Sequence, residues 1–310
     1  MEIFFSILFK ILPLYIFVGI GFIAGKYLNI DARGIGKLII YIIAPFVIFE
    51  AITHSKLTVG TFVLPIIAFC ICSLVAFLFY EYGKVIYKDA RANVLAIVAS
   101  EGNTGYFGIP IALLLFDQKI FSIYILGTVG VTLFENTVVY YLTARGKYNV
   151  SDSLNRLKKL PALYAFIFAV LFLFFQIKIP AIMDNFVISM QGAYVVLGMM
   201  LIGFGISRIN NFSFDYKFIS LSFIGKFVMW PLIMLCLILV DYFFLNFYDI
   251  EIYRAFILLS IVPIAANTVI FATVLDVHPD KVSSSVLFST FFGLIYVPVI
   301  IVFLFKYYNY

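Results

Sequence analysis

Charge is what this sequence has least of. Of its 310 residues only 12% are Asp, Glu, Lys or Arg, 64% are hydrophobic, and the mean hydropathy is +1.11. Soluble domains carry roughly twice that charge fraction, so a soluble globule is excluded. Histidine is nearly missing as well. His54 and His278 are far apart in sequence and near the ends of apolar segments, which argues against a ligand pair. The three cysteines, Cys70, Cys72 and Cys236, lie inside apolar runs. An odd number without metal spacing supplies neither a disulfide framework nor a zinc site. No phosphate-binding Walker loop occurs, and no hydrophilic stretch is long enough to hydrolyse nucleotide. No cofactor, no metal and no nucleic-acid partner is expected. An intramembrane enzyme would need a His, Cys, Ser or paired-Asp constellation at membrane depth, and none is evident, so the chain is not read as an enzyme.

Apolar runs dominate. Ten of them approach the length of about 20 residues that spans a bilayer, at roughly 4–25, 35–53, 59–80, 91–116, 120–143, 160–178, 186–207, 218–240, 253–275 and 283–305. The first has no basic residues before it and is too long for a signal core, so it is expected to stay as a membrane helix. A content of 19% aromatic residues suits lipid-facing surface and interfacial belts. The one hydrophilic loop, Arg145–Lys159, divides five runs from five. The expected organisation is therefore 1–144, a loop at 145–159, and 160–310. Odd-numbered loops hold fourteen of the Lys and Arg residues, while even loops and termini hold six. Positive residues favour the cytoplasm, which places the central loop inside and both termini outside a cell membrane.

The fourth run is interrupted by Glu101-Gly102-Asn103-Thr104-Gly105-Tyr106-Phe107-Gly108 with Pro110 beyond. Three glycines and a proline break a helix, and broken backbone at membrane depth survives only where protein or a water-filled cavity satisfies it. The ninth run is interrupted at Pro263, followed by Asn267-Thr268. Arg91-Ala92 precedes the first Asn-Thr pair as Arg254-Ala255 precedes the second. Two further echoes keep the same order: Lys10-Ile11-Leu12-Pro13 with Lys159-Leu160-Pro161, and Phe62–Pro65 with Phe227–Pro231. With five helices per half, the second copy must be inverted, and inverted repeats place a substrate site on their pseudo-two-fold axis. The expected fold is all-α and polytopic, ten transmembrane helices in two inverted five-helix repeats. Asn103, Thr104, Gly105, Pro110, Pro263, Asn267 and Thr268 are the expected substrate-binding residues. Half-helix N-termini meeting there would suit an anion; Asn capping its own break is the competing reading.

An ionised side chain at mid-bilayer costs ~2.5–3.5 kcal/mol on insertion scales, so Glu50, Glu101, Glu135 and Lys226 each need a reason. Glu101 abuts the first break and Glu135 lies deep in the fifth run, which marks both for coupling or gating. Glu50, near a helix end, reaches interfacial water or shares that role. Lys226 either snorkels to the cytoplasmic face or pairs with Glu101 or Glu135. Gln191, Ser289 and Thr290 are cavity polar groups or helix–helix glue.

The motifs GNTGYFGIPIA (Gly102–Ala112), IIAPFVIFEAI (Ile42–Ile52), PIAANTVIFA (Pro263–Ala272) and SSSVLFSTFFGLIYVP (Ser283–Pro298) resemble the auxin efflux carrier family of membrane transporters, over nearly the whole chain. The resemblance implies helices four and nine crossing at their breaks, with a mobile crossover unit working against a scaffold. It also implies small organic anions such as malate, malonate or auxin as cargo. The second break lacks the glycine of the first. The expected activity is secondary active transport of an organic anion, with H+ or Na+ as coupling ion and a homodimer as one state the sequence allows. A sodium-coupled symporter of the bile-acid type shares the broken-helix plan. A channel is the third alternative, although no ring of charges or filter loop is evident.

Overall fold

Backbone N–H and C=O groups in lipid find no water, so apolar runs must close their hydrogen bonds internally. The computed structural model describes residues 2–28, 30–53, 59–149, 151–152, 155, 158–159, 161–177, 179–207 and 215–306; His54 and Asn309 lie outside them. Among the described residues there is no strand, only an isolated bridge between Gly102 and Ile264.

The main helices are α1 (Glu2–Tyr27), α2 (32–53), α3 (Val59–Tyr87), α4 (Arg91–Ser100), α5 (Ile109–Leu115), α6 (118–145), α7 (Pro161–Phe174), α8 (Asp184–Ser207), α9 (216–245), α10 (Ile250–Ile261), α11 (Asn267–Leu275) and α12 (Pro279–Lys306). Aspartates start several of them, as their carboxylates satisfy first-turn N–H groups. Asp31 accepts from Arg33 and Gly34 before α2, Asp117 from Ile120 before α6, and Asp215 from Phe218 before α9.

Ten spans are expected from the sequence. Over the described residues four stretches are long and apolar enough to cross a membrane unaided: Val63–Tyr87, Ile123–Arg145, Asp184–Leu201 and Tyr216–Leu245. A fifth runs through α12 and bends by 40° between Gly293 and Ile295. The pairs α4/α5 and α10/α11 fall short because each helix is half of a broken run.

The helices sort into two packed groups. α1 lies along α8, and α2 along α7 and α8; separately, α3 lies along α4 and α6, and α10 along α6 and α9. A Cβ on Gly21 would sit 2.0 Å from the Met200 carbonyl oxygen, and one on Gly203 would sit 2.1 Å from that of Val18. Only glycine lets α1 and α8 touch backbone to backbone there. The broken helices are innermost: residues 92–100 and 258–273 are buried without exception.

Salt bridges gather the odd-numbered loops at one end. Asp276, in a left-handed turn after α11, binds Arg33 at 2.5 Å and Lys147 at 3.0 Å. Asp215 lies 3.4 Å from Lys281 and 4.0 Å from Arg91.

Candidate functional site

Both interruptions read in the sequence interrupt helix in the structure, and the structure brings them into contact. α4 ends at Ser100, after which Glu101 turns extended (φ −102°, ψ 131°). α10 ends at Ile261, and Val262 does the same (φ −63°, ψ 151°). The freed backbone groups then satisfy each other: Asn103 N–H donates to the Pro263 carbonyl at 2.7 Å, and Ala265 N–H to the Glu101 carbonyl at 3.3 Å. Pro263, with no N–H to offer, cannot continue the helix bonding, and its own carbonyl is taken by Asn103 of the other break. Between these bonds lies the Gly102–Ile264 bridge. Gly102 must be small, since a Cβ would come 2.8 Å from Lys226 Nζ and 2.9 Å from Val262 Cγ2.

α9 terminates both half-helices. Trp230 Nε1 donates to the Ser100 carbonyl at 2.5 Å, and Lys226 Nζ donates to the Ser260 carbonyl at 3.2 Å. The ammonium also stands 4.4 Å from the centre of the Trp230 ring, within cation–π range. Both side chains are fully buried. Lys226 therefore does not snorkel. It neutralises the negative C-terminal end of α10 and faces Glu101. A π turn, Ile224–Met229, carries it; another, Glu135–Val139, carries Glu135 in α6. Such bulges re-aim side chains and recur at functional sites.

The remaining expected residues divide in two. Glu101 is fully buried and its carboxyl meets that of Glu135 within hydrogen-bonding reach. Asn267 lies against Glu135 and donates from Nδ2 to the Tyr194 hydroxyl at 2.6 Å; that hydroxyl is 3.5 Å from Glu135 Oε1. Asn103, by contrast, turns its amide oxygen onto its own break and accepts from Phe107 N–H at 3.2 Å. Thr104 gives its carbonyl to the Tyr124 hydroxyl at 2.8 Å, and Thr268 bonds back to the Ala265 carbonyl. Gly105 borders open space, for a Cβ there would meet nothing within 4 Å. Pro110 sits at the start of α5. Glu50 is half-buried one turn from the end of α2. Ser289 accepts from Ile264 N–H at 3.1 Å and so buttresses the second break, while Thr290 bonds to its own helix at Val286.

Sequence reasoning missed Trp230, Tyr194 and Tyr124. One signal was available for the first: Trp230 is the chain's only tryptophan and sits in the middle of an apolar run, whereas tryptophan favours membrane interfaces. A cavity of about 360 Å³ lies away from the crossing, lined by Tyr41, Tyr140, Asp152, Asn155 and Lys159. Tyr140, five residues beyond Glu135 on α6, packs edge-on against Phe271 of α11.

No protein-family profile matches the chain. It is similar to an uncharacterized transporter of Methanocaldococcus jannaschii, with 27% identity over 275 residues that cover 85% of this chain and 87% of the relative. The several apolar helices and this similarity agree on a multi-pass, all-helical membrane protein related to a transporter.

Proposed function

We propose that the chain is a secondary active carrier of small organic anions, working by alternating access around the crossing of its two broken helices. The observation that carries this reading is the reciprocal backbone bonding of the two breaks at Gly102 and Ile264. A helix broken merely for packing has no need of a second break to complete it. A substrate site between half-helices does.

In this reading the ten expected spans form inverted repeats at 1–144 and 160–310. The exchange of partners supports it: the first helix pairs with α8 and the second with α7, as an axis relating the halves requires. α1, α2, α7 and α8 act as the scaffold, and the crossing belongs to the moving unit. The cavity over Tyr140 is the mouth of the inner pathway, on the side of the cytoplasmic loop, with both termini outside the cell membrane. Asn267, Thr268, Thr104 and Gly105 receive the anion, Glu101 and Glu135 couple it to protons, and Lys226 supplies fixed positive charge. The cargo class, small carboxylates or auxin-like acids, follows the resemblance to auxin efflux carriers.

Proteoliposomes offered labelled mono- and dicarboxylates, with and without imposed proton and sodium gradients, test the reading. Saturable uptake with counterflow, accelerated by an inward proton gradient, is expected. Non-saturating flux would make the chain a channel. Dependence on sodium with indifference to protons would make it a symporter of the bile-acid type.

A further inference from the structure

The crossing contains a charge problem that the transport reading does not resolve. Glu101 and Lys226 are fully buried and Glu135 nearly so. Neither Glu101 oxygen accepts a hydrogen bond from any donor among the described residues, although its carboxyl touches that of Glu135. Two carboxylates are acceptors only, so such a contact is repulsive unless a proton lies in it. The other groups facing the pair are Lys226 and Cys72 beyond Glu101, and Tyr194 and Asn267 around Glu135. With Lys226 charged and both carboxyls ionised, the cluster carries one net negative charge. One added proton makes it neutral.

We propose that Glu101 and Glu135 form a one-proton site, a single proton being held between their carboxyl groups while Lys226 balances the remaining charge. Geometry favours a proton over a metal cation, because a metal would stand between the oxygens and draw in further donors. Among the described residues no group of three His, Cys, Asp or Glu side chains comes together. The site has a built-in reader. Asn267, at the second break, contacts Glu135 directly and also bonds Tyr194 of the scaffold helix α8. Removing the proton frees carboxylate lone pairs that compete for both donors, so the amide beside the expected substrate changes partner with the charge state.

This rests on the transport reading and deepens it by giving the number and the place of the proton, yet its test requires no transport. The full chain in lipid nanodiscs is examined near neutral pH by infrared spectroscopy in light and heavy water. The carbonyl stretch of a protonated carboxylic acid is separate from the carboxylate bands. Wild type should show one deuterium-sensitive protonated carboxyl that is absent from both Glu101→Gln and Glu135→Gln. In each of those variants one carboxylate faces one ammonium, and no proton is needed. Lys226→Met should gain a second protonated carboxyl. If Lys226→Met does not fold, the near-isosteric Gln variants decide alone. A wild-type difference spectrum without the band, or a band persisting unchanged in either Gln variant, overturns the proposal. Absence of the band together with a melting temperature higher in sodium than in choline chloride would assign the pair to a metal cation instead. The band present in a protein that fails every uptake assay would keep the proton site and remove the carrier reading.

Discussion

Trp230→Phe isolates what α9 does for the crossing. The substitution keeps an aromatic ring in a fully buried position but deletes the N–H that donates to the Ser100 carbonyl at 2.5 Å. Leaving a buried carbonyl without its donor costs ~1–3 kcal/mol. The Lys226 ammonium, 4.4 Å from the ring centre, exchanges an indole face for a weaker phenyl face, a loss of about 0.5–1 kcal/mol. Together these give about 1.5–4 kcal/mol, which lowers the melting temperature by roughly 2–6 °C. The fraction of detergent-solubilised protein that stays monodisperse after heating measures this without relying on tryptophan fluorescence. Leu232→Ala serves as control, since Leu232 is half-exposed on the same helix and an apolar side chain facing lipid gains little from burial. A Trp230→Phe protein melting within a degree of wild type would refute the claim that this indole terminates α4.

Other outcomes follow from the same geometry. Asn103→Ala should destabilise the protein by about 0.5–2 kcal/mol, because it removes a cap on Phe107 N–H. Asn267→Ala should melt near wild type but lose most transport; equal melting losses in the two would assign both amides to packing. With the native cysteines removed, a cysteine at Ser151 should resist impermeant thiol reagents in intact cells while one at Asn309 reacts, and the reverse pattern would invert the topology. The Asp276 carboxyl is held below the ordinary carboxylate range, first by its hydrogen bond from Lys147 and then by Arg33. A depressed native value means that the contribution is present above the unfolded-state value and lost as pH falls through the native one. Wild-type melting should therefore drop more steeply in acid than that of Asp276→Asn, and parallel pH profiles would discount the pair. The effect should be modest, as the carboxylate is 44% exposed.

The breaks were legible because their chemistry is local. Glycine, proline and a duplicated Asn-Thr pair announce where a membrane helix cannot continue, and Glu101 stands beside one of them. That Glu135 would lie nearby was readable from an acid deep within an apolar run, since the cost of burial demands a partner. Lys226 left two readings open, and only the fold decides between them. Its π turn at Ile224–Met229 leaves no mark in an apolar pattern, yet it helps aim the ammonium inward. Tyr194 and Tyr124 were invisible for a related reason. In a chain with 21 tyrosines, one that reaches a buried amide looks like one that anchors at an interface. Likewise the two asparagines read alike in sequence, while in space one serves its own backbone and the other serves the carboxyl pair.

The Gly102–Ile264 bridge carries a consequence for how the two ends of the chain depend on each other. It is drawn entirely in main-chain atoms, so side-chain drift on either side leaves it intact, and each half holds polar backbone groups at its break that only the other half satisfies, the Pro263 carbonyl on Asn103 N–H and the Glu101 carbonyl on Ala265 N–H. If the chain were severed within 145–159 and the pieces synthesised separately, each would enter the bilayer carrying N–H and C=O groups that lipid cannot satisfy. Their mutual capture would be driven by that debt rather than by any recognition sequence. Neither piece would survive quality control by itself, and co-expression should rescue both. The molecule is, in that sense, a heterodimer whose subunits happen to share one open reading frame.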